Sequence, residues 1–162
     1  MRVLIQRSLN SSVTVDSEIV GSIKNGLVLF VGFTYGDSVD EIDYLVKKIV
    51  NLRIFDDENG IMNKSILDVS GSALSISQFT LYADSKKGNR PSYINALKSE
   101  EAIKLYDLFN KKLSEYVNVQ TGVFGADMIV SINNSGPVTI LLEKEYKKWL
   151  KISLIINLLI WL

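Results

Sequence analysis

The 162-residue chain contains neither cysteine nor histidine. The first absence excludes disulfides, thiolate nucleophiles and cysteine-ligated zinc. The second removes Ser-His-Asp chemistry and the usual general base near neutral pH. An enzyme made from this sequence must work with carboxylates, hydroxyls, backbone N–H groups or groups of the substrate itself. Charge of one sign is also missing: 18 lysines and arginines balance 18 aspartates and glutamates. No global field therefore gathers nucleic acid, and an RNA partner has to be held by a local patch and a shaped pocket.

Long apolar runs are scarce too. The start, Met1-Arg2-Val3-Leu4-Ile5-Gln6-Arg7, is too short in apolar residues for a secretory segment of about 7–15. The expected compartment is the cytoplasm. Ile152 to Leu162 is the most apolar stretch, yet far shorter than the roughly 20 residues of a membrane span. What remains is ordinary globular composition, 47% hydrophobic and 22% charged, at a length that suits one domain.

The first third reads as strands. Val3 and Ile5 alternate with Leu4 and Gln6, Val13 and Val15 with Thr14 and Asp16, and Ile19 to Ile23 is a further short strand. Asn25-Gly26 carries a hairpin signal. The run Leu27 to Phe33 that follows is apolar on both faces, as in a central strand covered on both sides. Ser38 and Glu41 have capping-box spacing, and Ile42, Leu45, Val46 and Ile49 recur with a helical period. Arg53-Ile54-Phe55 is a short strand ended by the turn-forming run Asp56 to Gly60.

Ala73 to Leu81 is the next strand, a polar loop spans Asp84 to Ser92, and a second amphipathic helix covers about Ser99 to Tyr116. The apolar stripe of that helix is Ala102, Leu105, Phe109, Leu113 and Tyr116. A closing hairpin is expected from Met128–Asn133 and Val138–Leu142, turned at Asn134 to Pro137. The fold class this predicts is α/β: a single domain with a mixed, strongly curved, barrel-like sheet covered by two main helices.

Two places break the simple patterns, and such places tend to carry function. In Leu74-Ser75-Ile76-Ser77-Gln78-Phe79-Thr80-Leu81 the apolar phase inverts after Ser77. A β-bulge explains the slip, and so does a strand crossing from one core to another. The second place is Gly136-Pro137, holding one of only two prolines in the chain. Proline cannot donate to a ladder, so this peptide belongs in a turn or at an edge. It is either a plain turn or a rarer geometry, such as a cis peptide, aimed at a ligand.

Ser77-Gln78-Phe79-Thr80-Leu81 followed by Asn134-Ser135-Gly136-Pro137-Val138-Thr139 resembles the motif pair of the D-aminoacyl-tRNA deacylases, also called D-tyrosyl-tRNA deacylases. Gln6-Arg7, Arg53-Ile54-Phe55, Gly88 to Tyr93 and Thr121 to Met128 fall in the family's order and spacing. The resemblance runs from about Met1 to Leu142. It implies hydrolysis of the ester of D-aminoacyl-tRNA, and of mischarged glycyl-tRNA, without cofactor or metal. It also implies a homodimer with its active sites at the interface and no membrane.

The resemblance further implies that Ser77, Gln78, Phe79 and Thr80 form the pocket for the aminoacyl group and terminal adenosine. A cis Gly136-Pro137 peptide, inserted from the partner, would reject L side chains by collision, and Arg7 would hold that loop. An aminoacyl ester is activated and its ribose 2′-hydroxyl can assist water, so no histidine is required. The protein has to position the ester and to stabilise the oxyanion through backbone N–H groups around Phe79 and Thr80. No adjacent base supports Thr80 as a nucleophile, so Thr80 and Gln78 are assigned to positioning.

Lys86, Lys87 and Arg90 form a compact basic run beside the motif: candidate tRNA contacts, or a solvated loop. The alternative to an enzyme is a non-catalytic RNA-binding dimer of the same fold. Residues 1–145 are expected to form the domain. Residues 146–162 read as an atypical apolar extension rather than an interfacial anchor, with an aggregation risk either way.

Overall fold

The computed structural model describes residues 1–145. The expected apolar extension, 146–162, lies outside the described residues. Five strands form one mixed sheet in the order β6-β5-β2-β1-β7. They are β1 (Arg2–Val15), β2 (Glu18–Gly32), β5 (Ser72–Ser77), β6 (Asn118–Thr121) and β7 (Ile129–Glu143). A separate two-stranded hairpin joins β3 (Phe55–Asp56) to β4 (Met62–Lys64). Helices α1 (Val39–Val50) and α2 (Ser99–Ser114) pack on one face of the main sheet. The mixed sheet and its two helices agree with the sequence reading. The sheet ends at β6 and β7 and does not close into a barrel.

β1 and β2 form one long antiparallel hairpin, and its turn is not at Asn25-Gly26. The chain reverses at Asp16-Ser17, both with positive φ (49° and 67°), the two-residue turn whose twist suits flanking strands. Asn25 and Gly26 stay inside β2, opposite Leu9 and Ser8. Gly26 is required there because β5 runs past it: a Cβ at its φ of +148° would lie 1.8 Å from the Ser72 carbonyl oxygen. Gly26→Ala should therefore destabilise the fold by roughly 3–5 kcal/mol, within the range of severe backbone mutations. Urea unfolding would measure it, and wild-type stability would contradict the close approach of β5 to Gly26.

The helix-side core joins Val3, Ile5, Leu27, Leu29 and Val31 to Ile42, Leu45, Ile49, Phe109 and Leu113. α1 begins at its capping box: the Asp40 N–H donates to Ser38 Oγ, and the Ser38 N–H donates to Glu41 Oε2 at 2.9 Å. On α2 the structure buries Tyr106 with Ala102, Phe109 and Leu113, while Tyr116 is half exposed, contrary to the expected stripe. Tyr106 sits four residues after Ala102 and three before Phe109, on the same face. Its polar end is satisfied by donation to the Ser75 carbonyl at 2.8 Å. A smaller core on the other face joins Val13, Ile23, Val28, Leu74 and Ile76 to Met128, Val130 and Ile132.

Two further expectations are corrected. β5 stops at Ser77 and passes into a 3-10 turn, Phe79–Tyr82, so the phase slip marks neither a bulge nor a strand changing cores. The Gln78 N–H still donates to Val31 O at 2.8 Å; then the chain winds, with Leu81 N–H donating to Gln78 O. Residues 128–142 are likewise no hairpin. β7 is one strand, and the segments before and after Gly136-Pro137 both pair antiparallel with β1. Opposite the single residue Arg7, Ser135 to Val138 bulge out between the pairs Ser8↔Asn134 and Gln6↔Thr139. Two segments running the same way along one partner cannot form a hairpin with each other.

Candidate active site

Ser77 ends β5 half-buried, Gln78 follows it, and Phe79 and Thr80 are exposed in the first half of the 3-10 turn. Gln78 Nε2 donates to Thr80 Oγ1, fixing the two side chains against each other. The first N–H groups of any helical turn lack internal acceptors. Among the described residues nothing accepts from the N–H groups of Phe79 or Thr80. Two adjacent backbone donors thus stand without an acceptor next to a small cleft lined by Ser77, Gln78, Phe79, Leu97, Phe124 and Gly125.

The turn is braced from distant parts of the chain. Arg2 Nη1 donates to the Leu81 carbonyl at 2.8 Å, and its guanidinium lies 4.6 Å from the Tyr82 ring centre. Phe79 meets Tyr93 edge-on, with 5.1 Å between ring centres. That contact docks the following loop, whose base is closed by paired backbone hydrogen bonds between Asp84 and Ser92 (2.7 and 2.8 Å). Lys86, Lys87 and Arg90 project from this loop, all exposed. Arg2 gave no sequence signal as a site residue; its position follows from the pairing of β1 beside β2.

Gly136 and Pro137 are exposed, and the peptide between them is cis. Arg7 lies beneath the bulge with its side chain 12% exposed. Its Nε donates to the Ser135 carbonyl at 3.3 Å, and its Nη1 to the Ile54 carbonyl at 2.9 Å and Asp56 Oδ1 at 3.2 Å. Asn134 Nδ2 ties the two ends of the bulge, donating to Arg7 O and Val138 O at 3.0 Å each. Gln6 Nε2 donates to Thr139 Oγ1 at 3.2 Å. Gln6 and Asn134 belong to the recognised motifs, but bulge-holding roles for them and for Asp56 emerge only from the pairing of β1 with β7.

The sites of Ser77–Thr80 and Gly136-Pro137 are not together in one chain. Ser77 pairs with Val31 of β2, which pairs with Val3 of β1, whereas the bulge stands at Arg7 on the far side of β1. Three strand spacings of about 4.8 Å and four residue steps of about 3.3 Å put them on the order of 20 Å apart along the sheet.

A family model described as D-Tyr-tRNA(Tyr) deacylase matches residues 4–143. The chain belongs to that family. Membership assigns it hydrolysis of D-aminoacyl-tRNA, a proofreading activity in translation. Among solved structures, this deacylase-family chain is similar to the c-Myc DNA Unwinding Element Binding Protein at 38% identity and a TM-score of 0.86. That match covers 90% of this chain and 100% of the other. A probable eukaryotic D-amino acid tRNA deacylase shares the fold at 16% identity and TM-score 0.75, over 87% of this chain and 97% of its own. No helix of the described residues is long and apolar enough to cross a membrane.

Proposed function

We propose that two copies of this chain assemble so that the Gly136-Pro137 bulge of each closes the Ser77–Thr80 site of the other. The composite pocket hydrolyses D-aminoacyl-tRNA and glycyl-tRNA and turns L-aminoacyl-tRNA away. The observation that carries this reading is the separation of the two motifs, on the order of 20 Å along one sheet, that the specificity needs side by side. An edge strand with no buried residue supports it: Ile129 and Leu141 of β7 are 71% and 47% exposed.

In the assembled site the ester carbonyl lies against the N–H groups of Phe79 and Thr80, which hold the negative charge of the tetrahedral intermediate. The ribose 2′-hydroxyl assists the attacking water, and Gln78 and Thr80 position the ester. Main-chain atoms of Gly136 and Pro137 stand where an L side chain would project. Rejection by collision works against the abundant substrate without needing any catalytic side chain. Arg7 holds the bulge in register. Lys86, Lys87 and Arg90 meet acceptor-end phosphates, and the enzyme works in the cytoplasm, where charged tRNA is used.

Single-turnover hydrolysis of D-Tyr-tRNA and L-Tyr-tRNA tests the reading. The expected result is rapid loss of the D ester with the L ester spared, by a protein that sediments as a dimer. Binding of both tRNAs without cleavage of either would sink it in favour of a non-catalytic RNA-binding dimer.

A further inference from the structure

The exposed side of α1 carries a basic groove toward its C-terminal end. Tyr44, Lys47, Lys48 and Asn51 recur at i, i+3, i+4 and i+7, one stripe opposite the buried Ile42, Leu45, Val46 and Ile49. With Leu52 and Arg53 they line the groove, and among the described residues no carboxylate joins them. Lys144 adds a fourth cation, its Nζ 4.6 Å from the centre of the Tyr44 ring. Among the described residues none of these four cations enters an ion pair. Neighbouring carboxylates are engaged elsewhere, Asp43 with Lys112 at 2.6 Å and Asp56 with Arg7 at 3.2 Å.

We infer that this groove holds phosphates of the tRNA acceptor arm. The inference rests on the deacylase reading above and adds a second RNA contact to the loop of Lys86, Lys87 and Arg90. In a chain whose charges balance, four uncompensated cations on one face need a reason. Lys47 and Lys48 complement the carbonyl end of α1, but Arg53 and Lys144 lie outside the helix and have no such duty. The stripe from Tyr44 to Asn51 is about 10 Å long at the helical rise. Separate cations spread over that length match a row of phosphates better than one small anion.

Arg53 is held in place: its Nε donates to Asn63 O at 2.8 Å and its Nη2 to Asn63 Oδ1 at 2.7 Å. Location agrees with chemistry. Ile54, the residue after Arg53, gives its carbonyl to Arg7, which also holds Ser135 of the bulge. The groove is thus tied to Gly136-Pro137, and in the paired arrangement it comes with that bulge to the partner's site. A tRNA whose ester enters that site meets the loop cations of one subunit and the α1 cations of the other.

The test compares wild type with Lys47→Ala/Lys48→Ala, which changes two exposed positions and leaves Arg53 on Asn63. At about 0.15 M salt, KM for D-Tyr-tRNA is expected to rise about 10- to 30-fold with kcat kept. The slope of log affinity for uncharged tRNA against log salt should flatten by about 0.7–0.9 for each lost contact. Cleavage of 3′-O-(D-tyrosyl)adenosine, which carries the ester and no phosphate, should not change. Because the chain has no cysteine, a thiol-directed photo-crosslinker on Lys48→Cys reports a single position, and its crosslinks are expected in the acceptor arm. Unchanged KM and salt slope, an equal loss on the adenosine ester, crosslinks confined to other arms, or no binding of tRNA by wild type overturns the inference. A wild type that cleaves neither ester, yet binds uncharged tRNA with a slope that the variant flattens, would instead remove the deacylase reading and leave the RNA surface standing.

Discussion

Replacing Phe79 with proline is expected to slow single-turnover hydrolysis of D-Tyr-tRNA by about 100- to 1,000-fold relative to Phe79→Ala, the usual cost of one oxyanion donor. Both variants lose the ring and its contact with Tyr93. They differ chiefly in the backbone N–H. The position tolerates proline unusually well: Phe79 is the first residue of the 3-10 turn, and its N–H serves no acceptor among the described residues. Gln78 before it is outside the helical region (φ −145°, ψ 83°), on the side of the map to which a residue preceding proline is pushed. The two proteins should therefore unfold at similar temperatures. Equal rates would sink the assignment of this N–H to the oxyanion and move the burden to Thr80.

The same turn shows where sequence reading succeeds and where it stops. α1 was legible because its signals are local: Ser38 and Glu41 cap it, and Ile42, Leu45, Val46 and Ile49 recur within a few residues. The phase inversion after Ser77 was legible as an anomaly, but its cause was not. A strand that ends and winds produces the same inversion as a bulge, and only the donation of Gln78 N–H to Val31 O shows where the ladder stops. Asn25-Gly26 misled because the same dipeptide answers two needs. Here glycine is demanded by a neighbouring strand, β5, whose closest residue is Ser72. No local pattern announces that approach.

The bulge of β7 is the more instructive case. Gly136-Pro137 stood out correctly as incompatible with a regular ladder, and a turn was the simplest place for it. The turn was wrong because both flanks of the peptide share a partner, β1, more than a hundred residues earlier in the chain. Site chemistry shows the same division. The residues that present donors were readable as a motif. The residues that brace them, Arg2 on Leu81 O and Asn134 across the bulge, act through sheet pairing and carry no periodic signature.

Arg7→Ala is expected to lower discrimination between D- and L-Tyr-tRNA by about 10- to 100-fold, chiefly by faster cleavage of the L ester. Among the described residues the guanidinium hydrogen-bonds the bulge to another layer, reaching Ser135 O on the bulge and Ile54 O and Asp56 Oδ1 of the β3 region, while Val138 at the end of the bulge packs on the helix-side core. Without it, Asn134 still joins the bulge to β1 and Val138 still packs on the core, but the Ser135 carbonyl at the start of the bulge loses its hydrogen bond to a side chain of β1. A displacement near 1 Å of a positioning element is worth on the order of 100-fold in an active site. Because a wall that retreats admits what it excluded, the loss should fall on selectivity more than on D-ester turnover.

Arg7→Lys should not restore the selectivity. A single ammonium cannot reach the Ser135 carbonyl, the Ile54 carbonyl and the Asp56 carboxylate in the directions that a planar fork does. The substitution also tests the competing idea that Arg7 serves as a positive charge for RNA phosphates, since lysine would then substitute well. Comparing the D-to-L rate ratio across wild type, Arg7→Ala and Arg7→Lys, with dimer content measured alongside, separates the two. A lysine variant with wild-type selectivity would reduce Arg7 to a charge. An alanine variant with wild-type selectivity would remove the bulge from chiral rejection.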